Sequence, residues 1–327
     1  NSNGNKVQEK NYINGKQQGL WTLYYQETGI KKEETNYIDG VQEGLWTEWY
    51  EDGQKRRERN FKDGERDSTW TTWYENGNKK FLASYLDGKL NGKYIRWYEG
   101  GIIKELDGEY LNNKKHKKWI YWSTSGQKTE EINYDNGVHH GSHIKWFGEK
   151  SDQHKKFHIN YKDGKKDGNW RHWYSSGIDS LKATYLNGEK DGHWIWWRKN
   201  GLKDKEGFYK KEKKHGLWTT WNDSTGSAYH KLHEETYVND AIDGKVTKWY
   251  KEGGLDRQGI MRGKEKEGEW TYWERGGKRW LKFDYGDGLE KVTLGEIEER
   301  DGITFKIGKY EPYVGIVEET GGKRGYK

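Results

Sequence analysis

The sequence predicts an all-β fold: an elongated single-layer antiparallel β-meander built from about eleven 24-residue hairpin repeats. Three observations predict it. First, an opening aromatic recurs at Tyr12, Tyr37, Phe61, Tyr85, Tyr110, Tyr134, Tyr161, Tyr185, Tyr209 and Tyr237, and Met261 and Tyr285 complete the series. The interval is 24 or 25 residues, except 27 after Tyr134 and 28 after Tyr209, and a fixed period of this kind marks a repeat array. Second, two turn signals alternate within a repeat. One is Asn14-Gly15, Asp39-Gly40, Asp63-Gly64, Asp87-Gly88 and Asn187-Gly188; the other is Asp52-Gly53, Asn76-Gly77 and Asn200-Gly201. Both dipeptides tolerate the positive φ of tight hairpins. Third, the segments between turns run about six to eight residues and are rich in Trp, Tyr, Thr and Ile, which is strand length and strand composition. A single proline in the chain leaves the ladders unbroken.

The elements follow in order. Residues 1–11 read as a flexible polar leader. A leader of this kind also follows the lipidated cysteine of bacterial lipoproteins, so the bacterial envelope or surface is expected rather than the cytoplasm. Residues 12–285 form the array. For the openers Tyr12 to Met261, nine residues on sits usually Trp, and twelve on always Trp or Tyr. In residues 44–53, alternation puts Trp46 and Tyr50 on one face and Trp49, with Thr47, on the other. The first face then carries a ladder of Tyr37, Trp46, Trp70, Trp170, Trp194, Trp218 and Trp270. The second carries Trp49, Trp73, Trp173, Trp197, Trp221 and Trp273 beside β-branched residues. The opposing strand is mostly charged, as in residues 55–60, and its long stems can lie over the rings while the heads stay wet. With no second layer in the sequence, the aromatic ladder is expected to be the core, and one repeat cannot fold without its neighbours. Strands about 4.8 Å apart give a contour on the order of 100 Å, which small-angle scattering would register as an extended particle. Residues 286–327 lose the Trp pattern but still alternate, and read as an atypical C-terminal β cap.

Composition narrows the function. Mean hydropathy is -1.36, and 34% of residues are charged, yet 16% are aromatic, which disordered chains lack. There is no cysteine, hence no disulfide framework and no cysteine nucleophile. With 59 basic and 53 acidic residues, the net charge of +6 describes a mixed surface and not a nucleic-acid stripe. No apolar run reaches the length of a membrane-spanning helix. No G-x-S-x-G, phosphate-cradling loop or dinucleotide fingerprint occurs, so the chain is read as a non-enzyme without cofactors. The best local cluster is His139, His140 and His143, whose imidazoles suit zinc or copper. Two of these are adjacent in a turn, however, and His143 stands where the ladder normally has Trp, so the expectation is a solvated turn plus a ladder substitution.

The pattern Tyr-x-Asn/Asp-Gly-x-x-x-Gly-x-Trp, with "KKHG" at Lys213 and "HHG" at His139, resembles the MORN repeat, and the half "G-x-W-x-x-W-Y-x-N-G" resembles its bacterial variant, found in the YwqK-type antitoxin family. The resemblance implies an elongated binding scaffold and, through the antitoxin label, a toxin partner. Asn113, Lys117, His143, Glu212 and Asp240 depart from the pattern and are candidates for a bend or a site. The two longer inserts, residues 149–158 and 222–235, are expected to project from one edge of the sheet and to carry recognition. Their candidate partner-binding residues are His154, Lys155, Lys156 and His158 in the first, and Tyr229, His230 and His233 in the second. The function expected is therefore a protein-binding repeat scaffold, toxin-neutralising or part of the cell envelope. Two alternatives are a carbohydrate-binding module using exposed Trp and Tyr rows, and adhesion to anionic lipid through lysine clusters such as residues 114–118. The sugar reading fails if Lys and Arg stems cover the Trp49-type rings.

Overall fold

The computed structural model describes residue 4, residues 6–148, 154–223 and 228–286, and beyond these the backbone of the strands Lys291–Thr293, Ile297–Arg300, Ile303–Lys306, Gly315–Glu319 and Gly322–Tyr326. Every regular element among the described residues is a strand. The chain divides into two compact units, Asn1–Lys166 and Asp167–Lys327.

In the first unit the strands Gly19–Tyr24, Lys31–Ile38, Gly44–Trp49, Lys55–Lys62, Glu65–Trp73, Lys79–Leu86, Lys89–Trp97, Lys104–Leu111, Lys114–Trp122, Lys128–Asp135, Val138–Trp146 and Lys155–Lys162 each pair antiparallel with the next. Within the stretch read as a flexible leader, Gln8–Glu9 pairs with Thr22 and Leu23, so strand pairing starts before the first opener. The second unit continues the plan through Asp179–Leu186, Gly192–Trp197, Lys203–Lys210, Lys213–Trp221, Lys231–Val238, Ala241–Trp249, Leu255–Arg262, Glu265–Trp273 and Arg279–Asp284. In the segment read as a cap, Lys291–Thr293 runs parallel to Gly315–Glu319, a pairing unlike the meander's.

Turn chemistry sets this register. At Asp39-Gly40 both residues have positive φ, 49° and 85°, and Ile38 pairs directly with Val41. That is the two-residue hairpin whose twist matches its strands. The turn is also tied backwards, because the Gly40 amide donates to the Gln17 carbonyl of the preceding repeat at 2.9 Å. The sequence departures at these corners keep the local turn conformation. Asn113, Lys117, Glu212 and Asp240 hold φ of 64°, 58°, 69° and 71°, the conformation glycine takes elsewhere. A left-handed Lys or Glu costs about 1–2 kcal/mol, and neighbouring hydrogen bonds offset it: the Glu212 amide reaches the Lys190 carbonyl, and the Glu212 carboxylate accepts the Lys190 amide.

The core is the aromatic ladder. Ring centres step from Tyr12 to Trp21 (5.2 Å) to Tyr37 (5.0 Å), and from Phe61 to Trp70 (5.6 Å) to Tyr85 (4.8 Å). In the second unit they step from Trp170 through Tyr185, Trp194 and Tyr209 to Trp218 at 4.9–5.3 Å. These tilted and edge-on contacts add to area burial. Several indoles also satisfy their N–H on a backbone carbonyl, as Trp119 does on Glu109 at 3.1 Å. Cations cover the rings: Arg59 lies over both Trp46 and Trp70, Lys115 over Trp119 and Tyr134, and Lys214 over Trp218 and Tyr237. On the other face Thr47, Thr71, Thr219 and Thr247 are buried.

The second tyrosine of the repeat has a role that alternation did not give it. Tyr50 lies just past Gly44–Trp49 and donates its hydroxyl to the Trp73 carbonyl of the next repeat at 2.9 Å. Tyr25, Tyr74, Tyr98, Tyr174 and Tyr250 do the same to Trp49, Trp97, Trp122, Trp197 and Trp273. Each is a latch between successive repeats. Tyr74→Phe is therefore expected to lower stability by about 0.5–1.5 kcal/mol while leaving the strands intact. Urea denaturation reads the loss, and an unchanged midpoint would mean that the latch carries no net energy.

Candidate functional site

Two of the departures from the regular pattern carry the candidate residues, one in each unit. The first is the repeat opened by Tyr134. Five residues after the opener, other repeats place a cation over the rings: Arg66, Lys115, Lys190, Lys214 and Lys266. Here that position is His139, held between Tyr134 (4.8 Å) and Tyr161 (5.1 Å). Nine residues after the opener, the Trp position is His143, whose ring meets Phe157 at 4.9 Å and His139 at 5.6 Å. His143 Nε2 lies 2.8 Å from Glu130 Oε1, and its other ring nitrogen is buried without a hydrogen bond. Burial holds His139 below the usual imidazole range, and the neighbouring His143 and Lys115 add to the effect. His140 is turned elsewhere, with Nδ1 3.3 Å from the Asp163 carboxylate. The structure thus brings two of the three candidate histidines together and separates the third. Among the described residues no three His, Asp or Glu side chains converge to hold a metal ion.

Around the first insert, His154, Lys155, Lys156 and His158 are described, and residues 149–153 lie outside the described residues. Lys155 and Lys156 are exposed, with the Lys156 ammonium 5.9 Å from the Phe147 ring centre. His158 Nε2 is 2.9 Å from the Ser142 hydroxyl.

The second interruption lies where the latch tyrosine becomes Arg198 and then Asn222. Arg198 reproduces the latch, donating to the Trp221 carbonyl at 2.7 Å while pairing with Asp204 at 2.8 Å. At Asn222 the insert supplies the replacement. His230 Nε2 reaches the Tyr250 carbonyl at 3.0 Å, and its Nδ1 approaches the Ala228 carbonyl at 2.6 Å. Asn222 accepts the His230 amide. His230, a candidate for partner contact, is therefore committed inside the fold. Tyr229 is exposed, nearly parallel to Trp221 at 6.4 Å, and its hydroxyl donates to the Lys203 carbonyl. His233 lines a cavity of about 400 Å³ with Arg198, Trp221, Asp223, Trp249 and Lys251. Residues 224–227 lie outside the described residues.

Burial, followed by Lys155 for His158 and by Lys248 for His233, holds both imidazoles below the ordinary value of 6.5. The unfolded chain then binds more protons than the folded one below that value, so stability is complete above it and falls as pH drops through it. Thermal melts at pH 7.5 and 5.5 should show the wild type losing more stability than a His158→Gln/His233→Gln variant. Equal losses would assign the acid sensitivity to other groups.

Four of the Trp49-type rings carry a cation. Lys31 lies 5.9 Å from the ring centre of Trp49, Arg171 4.8 Å from that of Trp173, Lys182 5.2 Å from that of Trp197 and Lys203 5.4 Å from that of Trp221. Beside them runs a row of Lys–carboxylate pairs three residues apart: Lys31–Glu34, Lys55–Glu58, Lys104–Asp107, Lys128–Glu131, Lys203–Glu206 and Lys231–Glu234. The sequence signal for this row was present as a lysine recurring six residues ahead of most openers. The signal for the latch was the Tyr recurring thirteen residues after it.

Residues 42–63 and 66–87 match the family described as "MORN repeat variant". The chain carries MORN-like repeats. The matched stretches are two consecutive hairpins of the meander, and the same turns, ladder and latch recur on either side of them. No curated protein matches the chain. Among solved structures, a chain in "Crystal Structure of TcdB2-TccC3-Cdc42" is 12% identical, with 85% of this chain and 18% of that chain covered and a TM-score of 0.18. The chain thus spans less than a fifth of that protein's length, and at that similarity the match carries no argument. No helix among the described residues is long and apolar enough to cross a membrane.

Proposed function

We propose that the protein is a non-enzymatic repeat scaffold that binds another protein. The observation that carries the reading is how the rings are used. On both faces many of the Trp and Tyr side chains are engaged by cations, carbonyls and one another, and the repeats present Lys and carboxylate pairs to solvent. A mixed-charge surface of that kind suits complementarity to a protein, where rim charges steer encounter and fix register. Sugar stacking needs open ring faces, and Lys31, Arg171, Lys182 and Lys203 occupy that platform. Anionic lipid favours a one-signed patch, which the paired row does not offer. Within the scaffold class, the finer reading is a toxin-neutralising or cell-envelope component. Its contacts are assigned to the insert flanks, where Lys155, Lys156 and Tyr229 stand exposed. The test is capture of partners from the source cells by the full chain, identified by mass spectrometry, alongside glycan arrays and phosphatidylserine vesicles. A protein that binds the purified chain saturably, and binds a Lys155→Glu/Lys156→Glu variant more weakly, supports the reading. Saturable binding only to glycans or vesicles overturns it.

A further inference from the structure

We infer that His139 and His143 together bind one divalent transition-metal ion of the zinc–copper class, with Glu130 holding His143 from behind. Their ring centres are 5.6 Å apart at an interplanar angle of 75°. Two imidazoles sharing one ion, with metal–nitrogen distances of about 2.0–2.1 Å, place their ring centres about 5–6 Å apart. The carboxylate sets the tautomer. Glu130 at Nε2 makes that nitrogen the proton carrier, so the lone pair sits on Nδ1. That atom is buried and has no hydrogen bond, the kind of orphan a folded chain rarely keeps without a use. A carboxylate on the non-ligating nitrogen is also what orients and strengthens a metal-bound imidazole.

The surroundings agree. Ile132 and Ile159, both buried, pair with His143 from the two neighbouring strands and hold the ring in place. His140 takes no part, since it faces Asp163. No third protein ligand converges among the described residues, so the two imidazoles are the protein's whole share of the coordination. In the preceding repeat these two positions hold Lys115 with Trp119, and in the following one Lys166 with Trp170, which offer no ligand pair. The site is therefore confined to one repeat and does not depend on the scaffold reading.

The test is calorimetric titration of the full chain with Zn²⁺ and with Cu²⁺ near pH 7.5. One saturable equivalent is expected, with a matching rise in melting temperature, because a ligand that binds only the folded state stabilises it. His143→Phe keeps a ring in the slot and should remove that equivalent. His139→Lys restores the residue used in other repeats and should remove it as well. His140→Ala should leave it unchanged, and Glu130→Gln should weaken it about 10–100-fold. Melting curves of the metal-free variants confirm that each is folded. No saturable equivalent in the wild type, or full binding in both His143→Phe and His139→Lys, overturns the site; unchanged affinity in Glu130→Gln overturns the role given to the carboxylate.

Discussion

Replacing Trp119 by Ala is expected to cost about 3–5 kcal/mol, the upper range for a large ring removed from a packed position. Trp119 is 2% exposed and one of the most deeply buried large side chains. Its ring meets Tyr94 at 5.7 Å, Tyr110 at 5.0 Å and Tyr134 at 6.4 Å, and carries the Lys115 ammonium at 4.3 Å. Loss of the indole also removes the hydrogen bond that the Glu109 carbonyl accepts from its N–H. The neighbours cannot close the gap cheaply, because Tyr110 and Tyr134 are fixed by their own strands on either side. Stability in a repeat array is close to a sum of nearest-neighbour terms. Hydrogen exchange should therefore speed up first in Lys104–Leu111, Lys114–Trp122 and Lys128–Asp135, while Gly19–Tyr24 and Lys31–Ile38 keep their protection. Uniform loss over every strand would contradict that local picture.

Much of this was legible in the sequence, for a physical reason. Two-residue turns and alternation are short-range properties, so Asp39-Gly40 and the Tyr-to-Trp spacing are enough to place Tyr12 on Trp21 and Tyr209 on Trp218. What alternation could not supply was the behaviour at strand ends. A register shift falls between Glu48 and Trp49, and the chain leaves the ladder at Tyr50, so that side chain turns to the next repeat and not to the rings of its own. The site was harder still. Adjacent histidines look alike in sequence, yet His139 faces His143 and His140 faces Asp163, because neighbouring residues of a strand point to opposite faces. The role of His230 was invisible for a different reason. It depends on a contact with the Tyr250 carbonyl twenty residues away, made only because Asn222 is not the usual tyrosine.

Gly207→Ile should destabilise the second unit by about 3 kcal/mol, the upper part of the usual range for overpacking, and Trp218→His should relieve part of that cost. The cost depends on which residue lies beneath the ring. A Cβ added at Gly207 would stand 2.2 Å from Trp218 Cδ2, and the same clash, 2.2–2.4 Å, arises at Gly259 against Trp270 and at Gly108 against Trp119. None of these three glycines has positive φ, so it is close approach and not backbone conformation that excludes a side chain there. The indoles above them are only 2–6% exposed and have no room to yield. Where the ring is smaller, the position below it is larger: His143 sits opposite the buried Ile132. In the three glycine repeats the two positions therefore share one volume; elsewhere the pair is filled differently, as Ile159 with the half-buried Trp170 and Thr35 with the buried Trp46, so the cost at Gly207 is set by how deeply its own indole is seated. A double-mutant cycle tests this directly. Gly207→Ile and Trp218→His are each expected to lower stability, and the pair to lose at least about 1 kcal/mol less than the sum, within the range seen for residues in contact. Strict additivity would mean that the strand backbone absorbs the added side chain, and that the glycine is dispensable to the packing of the indole.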